Sequence, residues 1–363
     1  MTLNTTQALH DMGQRLWLDH ISRDLLDSGT LARYIAELSI TGLTSNPTIY
    51  QQAIGRSDAY DASIQALTAQ GFCGESLFFE LALQDLTRAA DAFRPLFDAS
   101  GGLDGWVSLE VSPLLADNIA HTIRAAAQLH EQAARPNLFI KIPGTPAGLQ
   151  AIEEVIYDGT PVNVTLLFSP AQCLAAEQAY LRGLERRLAD GLHLKVASVA
   201  SLFVSRWDVA VNPAIAAPLQ NQLGIAMAMR AYQAHHRQTL SDRWQALAIA
   251  GALPQRLLWA STGTKDPAAS DTLYVEALAA PGTINTLPEK TLLAFADHGH
   301  VGPAMRVDGG HADEVLEACR REGVDDEAMA ARLQHEGLEA FATSWHALMN
   351  GLRDKQTERA SRE

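Results

Sequence analysis

Short apolar runs rich in β-forming residues recur along this chain, at 15–21, 40–46, 106–112, 138–144, 161–168, 194–204, 257–263 and 283–289. Between most of them the spacing of apolar positions changes to a helical period. A helix is predicted at 147–157, with Thr145 as N-cap and Pro146 at its first turn. Another is predicted at 171–189 after Ser169 and Pro170, and a third begins at 291–297. Strand followed by helix, eight times over, predicts an α/β fold: a single (β/α)8 TIM barrel domain with additional helices across residues 1–363. The rival is an open doubly wound sheet, but no GxGxxG turn follows any run. The connections 47–105 and 205–256 are too long for one helix each, so extra helices belong there, with helical periodicity at 75–97 and 219–244. The tail 310–353 is also helical and is expected to cover the barrel. No repeat or linker marks a second domain.

Polar residues interrupt or end these runs, and in a barrel the strand C-termini carry the chemistry. The first run holds Asp19, and the second ends in Thr44, Ser45 and Asn46. Glu110, Lys141, the pair Asn163 and Thr165, and Ser201 fall in the third to sixth. Arg206 follows the sixth; Ser261 ends the seventh, with Lys265 just beyond. Lys141 is the sharpest case, because Leu138, Phe139, Ile140, Ile142 and Pro143 surround it. Lysine avoids strand interiors. Desolvated inside a barrel, its charged form is disfavoured and its amine becomes a nucleophile. The competing reading is a structural lysine paired with Glu110 or Asp19. Asp19 and Glu110 offer proton transfer, or salt bridges to Lys141 or Arg206. Asn46, Asn163, Thr165 and Ser201 suit a hydroxyl-rich substrate, or serve as caps and core hydrogen bonds. Arg206, Ser261 and Lys265 lie where barrels commonly hold phosphate, although a lone loop cation is ordinarily a solvated one.

Composition narrows the partners. The chain of 363 residues is 47% hydrophobic and carries a net charge of -14, which argues against nucleic acid or an anionic membrane. Two or three clustered cations can still hold one phosphate. Cys73, Cys173 and Cys319 show no zinc or CxxC spacing, and no signal peptide or apolar span stands out, so a cytoplasmic protein with free thiols is expected. Neither Asp297-His298-Gly299-His300 nor His235-His236 has metal-ligand spacing on a helix face. No metal and no cofactor are expected.

Five segments in order resemble the transaldolase family: TGLTSNPTI at 41–49, FIKIPGT at 139–145, VNVTLLFS at 162–169, ASLFVSR at 200–206 and WASTGTK at 259–265. The resemblance runs from about residue 15 to about residue 290. It implies that Lys141 forms an imine with the ketose C2 carbonyl, and that Asp19 takes the C4 hydroxyl proton as C3–C4 breaks. Glu110 and Thr165 would hold the water that shuttles protons. Asn46, Asn163 and Ser201 would bind dihydroxyacetone hydroxyls, and Arg206 and Ser261 the phosphate. The family commonly has an arginine two residues after that serine; this chain has Gly263 there, with Lys265 nearby. The implied reaction moves a dihydroxyacetone unit from sedoheptulose 7-phosphate to glyceraldehyde 3-phosphate, in the non-oxidative pentose phosphate pathway. Small sugar phosphates are thus the expected partners, and the extra helices either cover the barrel or join a homodimer.

Three alternatives remain. Fructose-6-phosphate aldolases are shorter relatives with glutamine in place of Glu110 and a tyrosine serving the catalytic water; here Phe203 lines the sixth strand. A pyridoxal-phosphate barrel would need a partner for the pyridine nitrogen, and none is assignable. A non-catalytic sugar-phosphate binder would not keep Lys141, Asp19 and Glu110 together.

Overall fold

The computed structural model describes residues 5–360. Eight parallel strands close into a barrel in sequence order: β1 Arg15–Leu18, β2 Ile40–Thr44, β3 Trp106–Glu110, β4 Leu138–Pro143, β5 Val162–Leu167, β6 Ser198–Phe203, β7 Arg256–Ala260 and β8 Ile284–Leu287. All eight lie on the eight apolar runs. Every strand is covered by helices outside and side chains inside, so its residues are buried on both faces and its sequence is nearly all apolar.

The interior near the strand N-termini is filled with rings. Trp106 stacks on Phe139 at 4.0 Å between centroids, and Trp17 lies 6.1 Å from Phe139. Trp17 pairs in register with Gly42 on β2. A Cβ on Gly42 would sit 2.5 Å from the Trp17 indole and 2.7 Å from the Trp106 carbonyl oxygen. The missing side chain is therefore what admits the tryptophan. Gly42→Ala is expected to destabilise the fold by about 2 kcal/mol or more, because neither neighbour is a flexible chain end. Urea titration checks this, and an unchanged midpoint would mean that the floor repacks freely.

Several sequence-based boundaries need correction. The apolar pattern starts the sixth strand at 194, but β6 starts at Ser198. Val196 N–H bonds to Leu194 O and Val196 O accepts from the Tyr180 hydroxyl, so neither group is free for the ladder. The stretch 219–244 is broken, with helices Leu223–Thr239 and Asp242–Ile249; Ser241 caps the second by accepting from Trp244 N–H. The tail is two helices, Ala312–Arg321 and Asp326–Ala360, separated around Gly323 in the left-handed region. The helix Gly74–Ala99 fills much of the first long connection. No helix among the described residues is long and apolar enough to cross a membrane.

The strand ends matter most for chemistry. β1 stops at Leu18, so Asp19 stands one residue past it, its N–H still bonded to Leu287 O at 2.7 Å. β2 stops at Thr44 because Asn46 turns the chain into the helix Pro47–Arg56, its Oδ1 accepting from Ile49 N–H. β5 contains a bulge where Leu166 adopts φ +57° and the register to β6 shifts.

Candidate active site

The register of the parallel ladder sets the centre of the site. Glu110 is paired with Lys141 across β3 and β4, and Lys141 with Asn163 across β4 and β5. Three polar side chains are thus held at one level inside the barrel. Lys141 Nζ lies 3.0 Å from Glu110 Oε2 and donates to Ser45 O at 3.2 Å. Both residues are buried, at 5% and 4% exposure. The ion pair weighed as the competing reading is therefore present. It does not seal the lysine away, because Lys141 opens on a cavity of about 420 Å³ at the strand C-termini.

The cavity brings together most of the residues singled out from the sequence. Asp19, Asn46, Lys141, Thr165 and Ser201 line it, as do Phe203, Arg206, Ser261 and Lys265. Glu110 and Asn163 do not reach its surface. Glu110 stands behind Lys141. Asn163 is fully buried, with Nδ2 donating to Ser108 Oγ at 3.1 Å and Oδ1 accepting from Ser201 Oγ at 2.7 Å. In this geometry Asn163 positions Ser201, and Ser201 meets whatever occupies the cavity. The Asn46 Oδ1 is committed to its helix cap, which leaves the Nδ2 group as its donor toward the cavity.

Burial dominates the electrostatics. It pushes the Asp19 carboxyl above its ordinary value of 3.8, against the opposing pull of Lys141 and of the Thr44 hydroxyl, which donates to Asp19 Oδ1 at 2.8 Å. It raises Glu110 above 4.5 as well, against the adjacent Lys141 charge. Glu110 Oε1 and Thr165 Oγ1 have no hydrogen-bond partner among the described residues. Buried polar atoms are rarely left so, and these two are available to a small polar molecule beside the lysine.

Two cations flank Ser261. Arg206 is partly desolvated, and burial lowers its pKa below the ordinary guanidinium value against the influence of Glu336, which itself lies 3.4 Å from Arg332. Ser261 takes φ +55° immediately after β7, and its hydroxyl lies 2.9 Å from that of Ser205. Left-handed backbone at a serine is a local strain, and here it holds the Ser261 hydroxyl at the cavity wall. Lys265 Nζ lies 3.8 Å from where a Cβ on Gly263 would be. That is ordinary contact distance, and the tighter neighbour of such a Cβ is Pro288 Cγ at 3.1 Å.

The sequence reading missed several lining residues, among them Thr286, Gln52 and Phe341. Thr286 on β8 faces inward and lies 3.1 Å from the Thr44 hydroxyl; strand alternation through Ile284 would have found it. Gln52 follows the Asn46 cap by less than two helical turns. Phe341 comes from the helix Asp326–Ala360, and its ring centroid is 5.6 Å from Lys141 Nζ. Nothing in its local sequence separates it from an ordinary core residue of an amphipathic helix. His298 bonds instead to Asp271 and Asp297, and His235 faces Glu177 at 3.3 Å. Among the described residues no His, Cys, Asp and Glu cluster is arranged to hold a metal ion.

Known proteins share this sequence pattern along almost the whole chain. A family model described as Transaldolase/Fructose-6-phosphate aldolase matches residues 16–352. The transaldolase of Thiobacillus denitrificans is 45% identical, over 96% of this chain and 99% of its own length. Those of Renibacterium salmoninarum and Saccharopolyspora erythraea are 43% and 42% identical, over 100% and 98% of this chain and 99% of each of theirs.

Proposed function

Because the chain belongs to the transaldolase/fructose-6-phosphate aldolase family, we propose that its transaldolase reaction runs through an imine on Lys141. The observation that carries this is the placement of one buried amine, beside a buried carboxyl, on the same cavity as Asp19. Lys141 Nζ adds to the C2 carbonyl of a ketose phosphate, and loss of water gives the protonated imine. Asp19 takes the proton of the C4 hydroxyl. The C3–C4 bond breaks, and its electron pair passes from C3 into the imine to give an enamine. The aldose phosphate leaves. An acceptor aldehyde is then attacked by C3, its oxygen recovers the proton from Asp19, and water releases the new ketose from Lys141. The positive imine nitrogen is the electron sink, so the residues themselves supply the chemistry.

Each remaining group has a task in this scheme. Glu110 and Thr165 hold the water that carries protons during imine formation and hydrolysis, and their free oxygens support that role. Ser201, backed by Asn163, and the Asn46 amide hold the hydroxyls of the three-carbon unit. Arg206, Ser261 and Lys265 hold the phosphate: neither cation pairs with a carboxylate among the described residues, and a dianion satisfies both. The donor is sedoheptulose 7-phosphate and the acceptor glyceraldehyde 3-phosphate, which places the enzyme in the pentose phosphate pathway. Free thiols at Cys73, Cys173 and Cys319 are in keeping with the cytoplasm. The alternative, a fructose-6-phosphate aldolase, is disfavoured by Glu110 and by apolar Phe203 in the lining, with no tyrosine among the described lining residues.

Borohydride trapping tests the proposal. The protein is incubated with fructose 6-phosphate, reduced, digested and mapped by mass spectrometry. The expected result is a three-carbon adduct on Lys141 and on no other lysine. An adduct elsewhere, or none, would overturn the mechanism.

A further inference from the structure

We propose that Phe341 decides how the Lys141 enamine is divided between the acceptor aldehyde and solvent. This rests on the imine reading above and adds to it a residue from outside the barrel. The helix Asp326–Ala360 is fixed on both sides of position 341. Before it, Gln334 Nε2 donates to Leu166 O at 2.9 Å and to Gly144 O at 3.2 Å, so the helix is tied to the ends of β4 and β5. Gly337 permits this approach, since a Cβ there would lie 2.9 Å from Leu166 Cδ2. After it, the Ser344 and Thr48 hydroxyls are 2.8 Å apart, and Trp345 Nε1 donates to Glu75 Oε1 at 3.0 Å. Phe341 is thereby held in the cavity wall at 4% exposure.

The apolar character of the side chain is what matters at that place. Its centroid is 5.6 Å from Lys141 Nζ, close enough for the ring quadrupole to favour a positive imine nitrogen. It has no proton to give and cannot bind water. Asp19, Thr44, Asn46, Thr165 and Ser201 supply the rest of the neighbourhood with polar groups that hold water or exchange protons. The enamine has two exits. In one, C3 forms a bond to the acceptor carbon and transfer is completed. In the other, C3 takes a proton, water adds at C2, and the C2–N bond breaks to give dihydroxyacetone and the free amine. The second exit needs a proton source and water at the enamine. An apolar ring on a helix anchored to either side of it keeps bulk solvent off that face of the enamine, leaving only the water held by Glu110 and Thr165 and the proton on Asp19.

The test compares Phe341→Ala with Phe341→Leu, which keeps an apolar wall. Purified enzyme receives fructose 6-phosphate with erythrose 4-phosphate, and released dihydroxyacetone and sedoheptulose 7-phosphate are measured together. The Ala variant is expected to raise the ratio of release to transfer roughly tenfold, with the Lys141 adduct still trapped and the Leu variant near wild type. An unchanged ratio in the Ala variant, or a Leu variant as leaky as Ala, would overturn the role of Phe341. Absence of any Lys141 adduct in the wild type would overturn the imine, and this inference with it.

Discussion

Lys141→Met is expected to reduce kcat by roughly 10⁴-fold or more, because it removes the atom that becomes the imine nitrogen and no other group can take its place. Methionine matches the lysine stem in length and suits a buried position, so the fold is expected to survive. What changes is the electrostatic state of Glu110. In the wild type, burial already pushes this carboxyl above 4.5, with the adjacent Lys141 charge opposing the rise. With the cation gone, nothing offsets the burial, and the carboxyl rises further. A group with a raised folded value contributes stability at low pH and loses it as pH climbs through that value. The Lys141→Met protein is therefore expected to melt near the wild-type temperature in acid and progressively below it toward neutral pH. Adding Glu110→Gln is expected to abolish that pH dependence without restoring turnover. Turnover and melting temperature, each followed against pH, check both halves. If Lys141 were only an ion-pair partner, the single variant would lose stability and keep its rate.

That lysine was legible in the sequence for a physical reason. A lysine between Ile140 and Ile142 in a strand buried on both faces has no cheap explanation. Asp19, Asn46 and Ser261 were legible because they interrupt or end apolar runs, and the structure places them at the cavity rim rather than within strands. Thr286 was less visible, since threonine is common in strands and carries no charge to be accounted for. Phe341 was invisible. Its place depends on Gln334, Gly337 and Ser344 meeting groups far earlier in the chain, and helical periodicity carries no trace of that. The late start of β6 was hidden similarly, because the Tyr180 hydroxyl competes for a carbonyl that the apolar pattern assigns to the ladder. Local pattern thus reveals the strands and the residues that are costly to bury. It does not reveal the residues whose position comes from tertiary anchoring.

Asp19→Asn separates chemistry from stability in opposite directions. Asp19 is the proton acceptor for the C4 hydroxyl in the proposed scheme, and an amide cannot take that proton. The rate of transfer is expected to fall by about 10² to 10⁴-fold, while the first imine still forms on Lys141 and can still be trapped, since its formation does not require the C4 proton to move. Stability should shift the other way. Burial holds the Asp19 carboxyl above 3.8 despite Lys141, Thr44, His20 and Lys265. The ionised form is therefore the disfavoured one in the folded state. Below the unfolded value both states bind the proton, and the wild type loses nothing relative to the amide. As pH rises through the folded value the wild type must either keep a proton that the unfolded chain releases or bury the charge, and its stability declines. The variant has no such titration. Its melting temperature is expected to match the wild type in acid and to exceed it at neutral pH, with Thr44 still able to donate to the oxygen of the new side-chain amide. The same raised value makes Asp19 a stronger base than an exposed carboxylate, which is what proton removal from a hydroxyl needs. One partly buried acid thus costs the fold stability at the pH where it is useful. A melting difference that stays constant across pH, or transfer retained in the variant, would show that Asp19 is a solvated neighbour of the site rather than its base.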